Sequence, residues 1–337
     1  MSIEVIGITV LWIFLYGYVF VASVDFGAGF FSYYGKVTGK GEIINAVINR
    51  YLSPVWEVTN VFLIFFIVGI VGFFPDTAYY YGTALLVPGS IALVLIAIRG
   101  SFYAFNHYGH TTNNFYLFLY GTTGLLIPAS LATILTISEG GFIVKQGNEV
   151  VLLMEKLFMS PYSWSVVFLA LVSVLFISSS FLTYYAHKAE DHGAEELLRI
   201  WALFWSFPTI FASFLVFVSL RNHNLEHFNS MLDHSWYFTL SLAFFLLAVG
   251  LIMRRKSYGL AFVLVMLQFA SAFFGYGKSH LPYLLYPYVT IHSGVTNPVM
   301  GEALIWAFIG GLSLLVPSLY LLLKLFLFDA KYVKGAK

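Results

Sequence analysis

Long runs of hydrophobic residues, separated by short polar segments, dominate this chain of 337 residues. Nine of the runs come close to or exceed the roughly 20 residues that a helix needs to cross a bilayer. They occupy 3–31, 55–74, 80–105, 115–137, 162–185, 197–220, 236–253, 258–276 and 303–328. A membrane β-barrel would instead show short segments of alternating hydrophobicity. The pattern therefore predicts an all-α polytopic integral membrane protein with about nine transmembrane helices.

The segments between the runs are too short to form a separate soluble domain, so one transmembrane domain over 1–337 is predicted. Nine helices can form two four-helix bundles plus one peripheral helix. The internal halves would then be 1–137 and 162–276, with the last helix at 303–328. The segment 36–54 has apolar residues near helical spacing, which fits either an interfacial helix or a plain connecting helix.

Four prolines lie inside the predicted spans, where neighbouring helices can satisfy the carbonyl groups that they leave unbonded. Local kinks are expected at these positions, because proline removes one hydrogen bond from the helix. The four are Pro88, Pro128, Pro208 and Pro317.

The amino-acid composition also indicates that most of this chain is surrounded by lipid. Apolar residues make up 60% of it and charged residues 10%, with a mean hydropathy of +0.84, whereas soluble domains carry roughly 25% charged residues. The chain has no cysteine, which excludes disulfides, thiolate nucleophiles and cysteine-ligated metal centres within it. A formal net charge of +1 gives no reason to expect a nucleic-acid partner.

Positive charges are distributed unevenly between the two ends of the predicted helices. With the N-terminus outside, thirteen of the 17 Lys and Arg residues fall on the cytoplasmic side and four on the outer side. Cytoplasmic loops carry an excess of these residues, so the N-terminus is predicted outside and the C-terminus in the cytoplasm. The four outer residues are Lys145, Lys156, Arg221 and Lys278.

Three ionisable residues stand out inside the predicted spans, where a charged side chain costs roughly 2.5–3.5 kcal/mol on insertion scales. They are Asp25, Glu57 and Arg99, and all three lie towards the cytoplasmic ends of the first three helices. Asn60 follows Glu57 at helical spacing, which puts an amide on the same face as the carboxylate. Carboxylates that are shielded from water can accept and release protons near neutral pH. These residues are therefore the candidates for a proton entry path.

An ion pair is the alternative interpretation of the same residues. Arg99 would pair with Asp25 or Glu57, fix the register of the helices and move no proton, and the sequence leaves this choice open. Gly27 and Gly29 follow Asp25 closely, and they permit either a close approach of a neighbouring helix or a local departure from the helix.

All nine histidines fall in loops or at the ends of predicted spans. A b-type haem in a helix bundle normally takes a histidine from a helix, and Met266, the remaining deep candidate, more often fills a core. We therefore expect no haem in this chain. We also expect no metal site, because the pairs His187 with His192 and His223 with His227 lack a carboxylate or thiolate pattern.

Three short motifs carry a resemblance that spans most of the chain. VDFGAGF matches an Asp-Leu-Gly-x-Gly pattern through Asp25, Gly27 and Gly29. PVWEVTNVFLI at 54–64 is similar to Pro-x-Trp-Asp-x-Asn-x-Val-Trp-Leu-Ile, and RGSFYAF from Arg99 is similar to Arg-Gly-x-x-Phe-Glu-Phe. With the late segment LPYLLYPYVT and the charged tail after a ninth helix, these motifs resemble the second subunit of the cytochrome bd quinol oxidases.

Four positions depart from the patterns of that family. Glu57 replaces the usual Asp, Thr59 stands where Asn is common, Phe62 replaces Trp, and Ala104 replaces Glu. Glu57 keeps the acid, so proton uptake remains compatible with the motif, whereas Ala104 removes the second acid of its motif. The divergence is typical of a Gram-positive type of enzyme.

The resemblance implies a subunit of a quinol:oxygen oxidoreductase in the bacterial cytoplasmic membrane. Haems b and d and the quinol site would belong to subunit I, and this chain would pack on that subunit without a cofactor or catalytic residue of its own. A small single-helix subunit is a further expected partner, besides the lipid bilayer. Asp25 and Glu57, with Asn60, would supply a cytoplasmic proton path, and Arg99 would orient these groups.

A secondary transporter for a small solute or ion is the competing function from another class. Transporter sites lie at broken helices near the middle of the bilayer, whereas the acids of this chain lie towards one face. A purely structural scaffold is a third interpretation, under which Asp25 and Glu57 would be replaceable.

Overall fold

The computed structural model describes residues 2–108, 114–147, 149–293 and 295–324, and the side chains of 49–58, 102–108 and 322–323 lie outside that description. The described part forms twelve α-helices and four short strands, and it is 85% helical. The helices are α1 Ile3–Val37, α2 Gly41–Phe73, α3 Pro75–Ala84, α4 Leu86–Tyr108, α5 Asn114–Ser138, α6 Met154–Met159, α7 Pro161–Lys188, α8 His192–His223, α9 Leu225–Asp233, α10 Ser235–Met253, α11 Tyr258–His280 and α12 Pro298–Leu323.

The predicted all-α polytopic membrane fold is confirmed. Among the described residues, seven helices are long and apolar enough to cross a membrane, and the bent pair α3 and α4 counts as an eighth. The seven are α1, α5, α7, α8, α10, α11 and α12. The remaining predicted span, 55–74, falls on α2, in which Thr59–Phe73 is a shorter apolar stretch with described side chains.

The third predicted span is broken in the structure. The chain bends by 82° between α3 and the first part of α4, so the predicted run 80–105 is divided at Leu85. Pro88 has no N–H to donate to the carbonyl of Ala84, and its ring crowds that group, which favours a break in the helix at this point. The other three intrahelical prolines lie within continuous helices.

Helix α1 is the central element of the bundle, with α2, α5, α7, α11 and α12 packed around it. Helix α4 packs on α5. Helices α7, α8, α10 and α11 form a second set of contacts, in which α7 packs on α8 and α11, and α10 packs on both α8 and α11. Helix α12 contacts α1 and α2. The division of the sequence into halves at 1–137 and 162–276 stays a prediction.

The segment 36–54 is neither a separate interfacial helix nor a plain connecting helix. From Gly41 onwards it is the first part of the continuous helix α2. Ile44, Val47 and Ile48 are fully buried and belong to the main core, together with residues of α1, α7 and α8. Their helical spacing therefore reflects packing inside the protein.

Two short hairpins close one end of the bundle, which the sequence pattern did not predict. Strands β1 (Ile143–Gln146) and β2 (Glu149–Leu152) pair antiparallel, as do β3 (Tyr283–Leu285) and β4 (Val289–Thr290). Side chains of both hairpins share a hydrophobic core with the adjacent ends of α5, α7 and α8. This end lies on the side of the predicted outer surface.

Candidate functional site

Asp25 and Arg99 form a buried ion pair between α1 and α4. Arg99 Nε donates to Asp25 Oδ2 at 2.9 Å, and Nη2 donates to the backbone carbonyl of Asp25 at 2.7 Å. Only 3% of Asp25 and 1% of Arg99 is exposed. The predicted pairing of these two residues is therefore observed, and the guanidinium satisfies both the side chain and the backbone of its partner.

Helix α5 completes the surroundings of this pair. Tyr120 donates its hydroxyl to Asp25 Oδ1 at 3.2 Å, so each carboxylate oxygen of Asp25 accepts a hydrogen bond from a different helix. Arg99 Nη1 donates to the carbonyl of Tyr120 at 2.8 Å, and the guanidinium carbon lies 4.1 Å from the centre of the Tyr120 ring. The charged groups thus join three membrane-spanning helices.

Glycines make the close approach of these helices possible. A Cβ atom at Gly29 would lie 2.8 Å from the carbonyl of Tyr120 and 3.0 Å from Arg99 Nη1. At Gly27 it would lie 2.7 Å from Ser178 Oγ of α7, which donates to the carbonyl of Val24 at 2.9 Å. Because α1 is a continuous helix here, the two glycines serve helix packing and mark no break.

The other two candidate residues lie on α2, which packs against α1. Asn60 is half-buried, and its neighbour Thr59 is buried. The side chain of Glu57 lies outside the described residues, so its predicted part in a proton path stays a prediction. Of the four predicted site residues, the structure therefore brings Asp25 and Arg99 into direct contact.

A second polar cluster lies at the hairpin end of the bundle, and it centres on Glu139. His227 Nδ1 lies 2.9 Å from both carboxylate oxygens of Glu139, and His280 Nδ1 lies 3.4 Å from Oε1. The hydroxyl of Tyr276 donates a short hydrogen bond to the same oxygen. Glu139 is 1% exposed and His227 4% exposed. One carboxylate is thus surrounded by two imidazole rings and a phenol.

Local sequence positions each member of this cluster. Glu139 directly follows α5 and precedes Gly140 and Gly141, whose φ angles of 84° and 78° favour glycine and turn the chain. Asn224 is the N-cap of α9, accepting from the backbone N–H of His227 at 3.1 Å, while its Nδ2 donates to Glu139 Oε2 at 3.1 Å. On α11, Tyr276 precedes His280 by four residues, so both lie on one face.

The electrostatics of the cluster favour an ionised carboxylate. Burial raises the pKa of Glu139, but the neighbouring His280 and the hydrogen bonds from His227 and Tyr276 outweigh this effect, so the pKa lies below its ordinary value of 4.5. A cavity of about 100 Å³ lies beside the two histidines. Its lining also includes Asn224, Glu226, Ser230, Ser279, Leu281, Tyr283 and Tyr286.

Sequence reasoning missed this cluster, because its members come from three distant segments. His223, which sequence spacing pairs with His227, is not part of the cluster. His223 stacks between the rings of Phe142 and Tyr162, at centroid distances of 4.8 and 4.9 Å, and bonds to the carbonyl of Gly140. The i,i+4 spacing of Tyr276 and His280 was the available signal, but nothing in the sequence connects it with Glu139.

The other expected histidine pair shares a carboxylate at the opposite end of the bundle. Glu195 Oε2 lies 3.2 Å from His187 Nδ1 and 3.6 Å from His192 Nδ1. The His192 side chain is 87% exposed and that of His187 is 55% exposed, so this group lies at the surface. Met266 packs against the main core, in agreement with the interpretation of this residue as core filler.

Comparisons with known proteins agree over nearly the whole chain. Residues 3–326 match the family model of cytochrome bd terminal oxidase subunit II. A putative cytochrome bd menaquinol oxidase subunit II from Bacillus subtilis (strain 168) is 35% identical over 339 residues, covering 98% of this chain and 97% of the relative. A chain in the structure of bd oxidase from Geobacillus thermodenitrificans is 58% identical, with a TM-score of 0.86, covering 98% of this chain and all of that chain.

Proposed function

Because this chain belongs to the family of cytochrome bd terminal oxidase subunit II, we propose that it is the haem-free subunit of the complex and supplies a cytoplasmic proton path. Members of this family are subunits of a quinol oxidase, a respiratory terminal oxidase. The chain would pack on the haem-bearing subunit I, whose haems b and d supply the redox chemistry. A small single-helix subunit is a further proposed partner.

The buried Asp25–Arg99 pair is the observation that carries the proton-path proposal. Placing a charged side chain inside a membrane span costs free energy, and such residues mark ion and proton pathways when they are not lipid-exposed. The pair is supported by Tyr120, whose hydroxyl is a proton-carrying group 3.2 Å from Asp25 Oδ1. In this proposal the proton reaches Asp25, whose Oδ1 accepts the hydrogen bond from this hydroxyl.

Each residue has its own part in this path. Glu57 and Asp25 accept and release the proton, and Asn60 orients Glu57 from the same helical face. Arg99 positions Asp25, because its three described hydrogen bonds to Asp25 and Tyr120 hold α1, α4 and α5 together. Quinol oxidation releases electrons and protons, and dioxygen takes up both to form water. Protons drawn from the cytoplasm for the second reaction would make the reaction electrogenic.

The orientation of the chain follows the positive-inside rule in this proposal. The N-terminus lies outside and the C-terminus in the cytoplasm of a bacterial cell, since thirteen Lys and Arg residues then lie inside and four outside. Asp25 and Arg99 come near the cytoplasmic ends of their spans in this arrangement. The Bacillus subtilis relative is named a putative menaquinol oxidase subunit, so menaquinol is the proposed electron donor of the complex.

A visible absorption spectrum tests the proposed place of this chain in the complex. The chain purified mildly from its native membrane should show b- and d-type haem bands and copurify with a second large subunit, whereas the chain expressed alone should be colourless. A native preparation without haem and without a partner would overturn the proposal, and it would favour a transporter instead.

A further inference from the structure

We propose that Glu139, His227 and His280 bind a divalent transition-metal ion, and that zinc is the metal that this ligand set fits. The site lies at the hairpin end of the bundle, away from the Asp25–Arg99 pair. It belongs to neither the proton path nor the redox chemistry of the complex, so it stands independently of the proposed function.

The ligand atoms have the spacing of a metal site. One ligand atom from each of the three residues lies within 4.8 Å of the other two. Two ligands at the usual zinc distances of about 2.0–2.1 Å, in tetrahedral geometry, are separated from each other by about 3.4 Å. The distances of 2.9 Å from His227 Nδ1 to the carboxylate and 3.4 Å from His280 Nδ1 to Oε1 lie close to this value. To admit an ion, the 2.9 Å separation would have to widen by about 0.5 Å.

The charge of the cluster also calls for a cation. Glu139 is a buried carboxylate, and buried charges are normally paired or coordinate a metal. Among the residues that the structure describes, its ionic partners are the two histidines alone, without any Lys or Arg. Asp25, the other deeply buried acid discussed above, has Arg99 as its partner. A divalent ion between the imidazoles and the carboxylate would supply the missing positive charge.

Supporting contacts hold the carboxylate in place, as the outer shell of a metal site does. Tyr276 donates to Glu139 Oε1, and Asn224 donates to Oε2 and to the backbone carbonyl of the same residue. The Nε2 atoms of His227 and His280 are buried, and they have no hydrogen-bond partner among the described residues. The cavity of about 100 Å³ beside both rings provides an entry path and space for a further ligand.

Binding of a metal ion would displace the proton that His227 shares with Glu139. Without an ion, a proton must lie between His227 Nδ1 and the carboxylate, because two lone pairs 2.9 Å apart would repel each other. On binding, both Nδ1 lone pairs face the ion, the Nδ1 proton leaves or moves to Nε2, and the carboxylate stays ionised.

The donor set selects among metals. Two imidazoles and one carboxylate suit zinc and neighbouring first-row ions, whereas calcium and magnesium prefer sites made of oxygen atoms alone. With three protein ligands and a fourth position towards the cavity, the site resembles open zinc sites rather than closed structural ones.

Metal analysis of the intact complex tests the proposal. We expect one zinc ion per purified complex, or saturable binding of one added Zn²⁺ after treatment with a chelator. Glu139→Gln and His280→Gln should each remove this zinc or weaken its binding by at least roughly tenfold. His234→Gln is the matched control, because His234 lies at the same end of the bundle and its ring is hydrogen-bonded, among the described residues, to the carbonyl of Ser230 and not to Glu139. Haem absorbance checks that each variant complex is assembled.

X-ray absorption at the zinc edge of the unmodified complex does not depend on the folding of any variant. It should show nitrogen and oxygen ligands alone, with two imidazoles. No stoichiometric zinc in either preparation would overturn the proposal, as would zinc with sulfur ligands or zinc that both ligand variants retain in full. In those cases Glu139 and its histidines form a hydrogen-bonded cluster only, or the zinc belongs elsewhere in the complex.

Discussion

At the scale of single residues, the main question is what the Asp25–Arg99 pair does. Breaking a buried pair by removing one partner leaves an uncompensated charge, whereas replacing both partners by uncharged groups of similar size is often tolerated. This asymmetry separates a structural role from a role in proton transfer. A single variant cannot make that distinction, because loss of stability and loss of a proton carrier would occur together.

Asp25→Asn alone should destabilise the complex by about 3–5 kcal/mol, because Arg99 stays buried without its counter-charge. Asp25→Asn combined with Arg99→Met should recover most of that stability. If Asp25 carries protons, quinol-driven oxygen consumption stays low in the double variant. Thermal unfolding and an oxygen electrode measure the two properties on the same preparations. Normal oxygen consumption by a stable double variant would show that the pair only fixes the helices.

At the scale of helices, small residues determine how closely α1 approaches its neighbours. Gly27 lies against Ser178 and the carbonyl of Val174 on α7, while Gly124 on α5 lies against the carbonyl of Phe26. In lipid, helix association depends on such close packing, because there is little hydrophobic driving force between helices. The same contacts hold Asp25 at the correct distance from Arg99.

Gly27→Ala should therefore lower the thermal stability of the complex. The added Cβ would lie 2.7 Å from Ser178 Oγ and 2.9 Å from the Val174 carbonyl, and overpacking of this kind costs typically about 1–3 kcal/mol. Gly250→Ala in α10 is the control, since no atom of another described element lies within 4 Å of a Cβ atom placed there. It should leave stability unchanged or raise it slightly, because alanine favours the helix. Equal melting temperatures for the two variants would contradict this account of helix packing.

At the scale of the whole molecule, the two ends of the bundle differ in structure. One end carries the hairpins, the short helices α6 and α9 and the Glu139 cluster, whereas the other end has short turns such as 189–191 and 254–257. Most of the Lys and Arg residues that the structure describes lie at or towards the second end. The proposed orientation therefore places the more elaborate end outside the cell.

Single cysteines provide a test of this orientation, because the chain has none of its own. Gln146 on the β1–β2 hairpin and Lys256 after α10 are both exposed and lie at opposite ends of the bundle. In intact cells, a membrane-impermeant maleimide should label Gln146→Cys and leave Lys256→Cys unlabelled until the membrane is opened. The chain is separated from its partners by gel electrophoresis before detection. The reverse labelling pattern would invert the proposed topology.

The sequence by itself determined the fold class, the family and the position of most spans. The fold class and the spans depend on local properties, because an apolar run of sufficient length must become a helix in lipid, whereas the family followed from the resemblance of short motifs. The motif around Asp25 and the isolated Arg99 also identified two residues that are in contact. Pro88 was visible in the sequence, but its effect was underestimated, since the fold turns there instead of continuing through a kink.

Only the tertiary structure decided which distant side chains meet. Glu139 and His227 are 88 residues apart in the chain, and each looked like an ordinary loop or span-end residue. Their contact depends on the end of α5 and the start of α9 lying at the same level of the bundle, and on the turn at Gly140. Likewise, the burial of Ile44 and Val47 depends on which helices surround α2. Such outcomes arise from packing between elements, which no local pattern of hydrophobic and polar residues specifies.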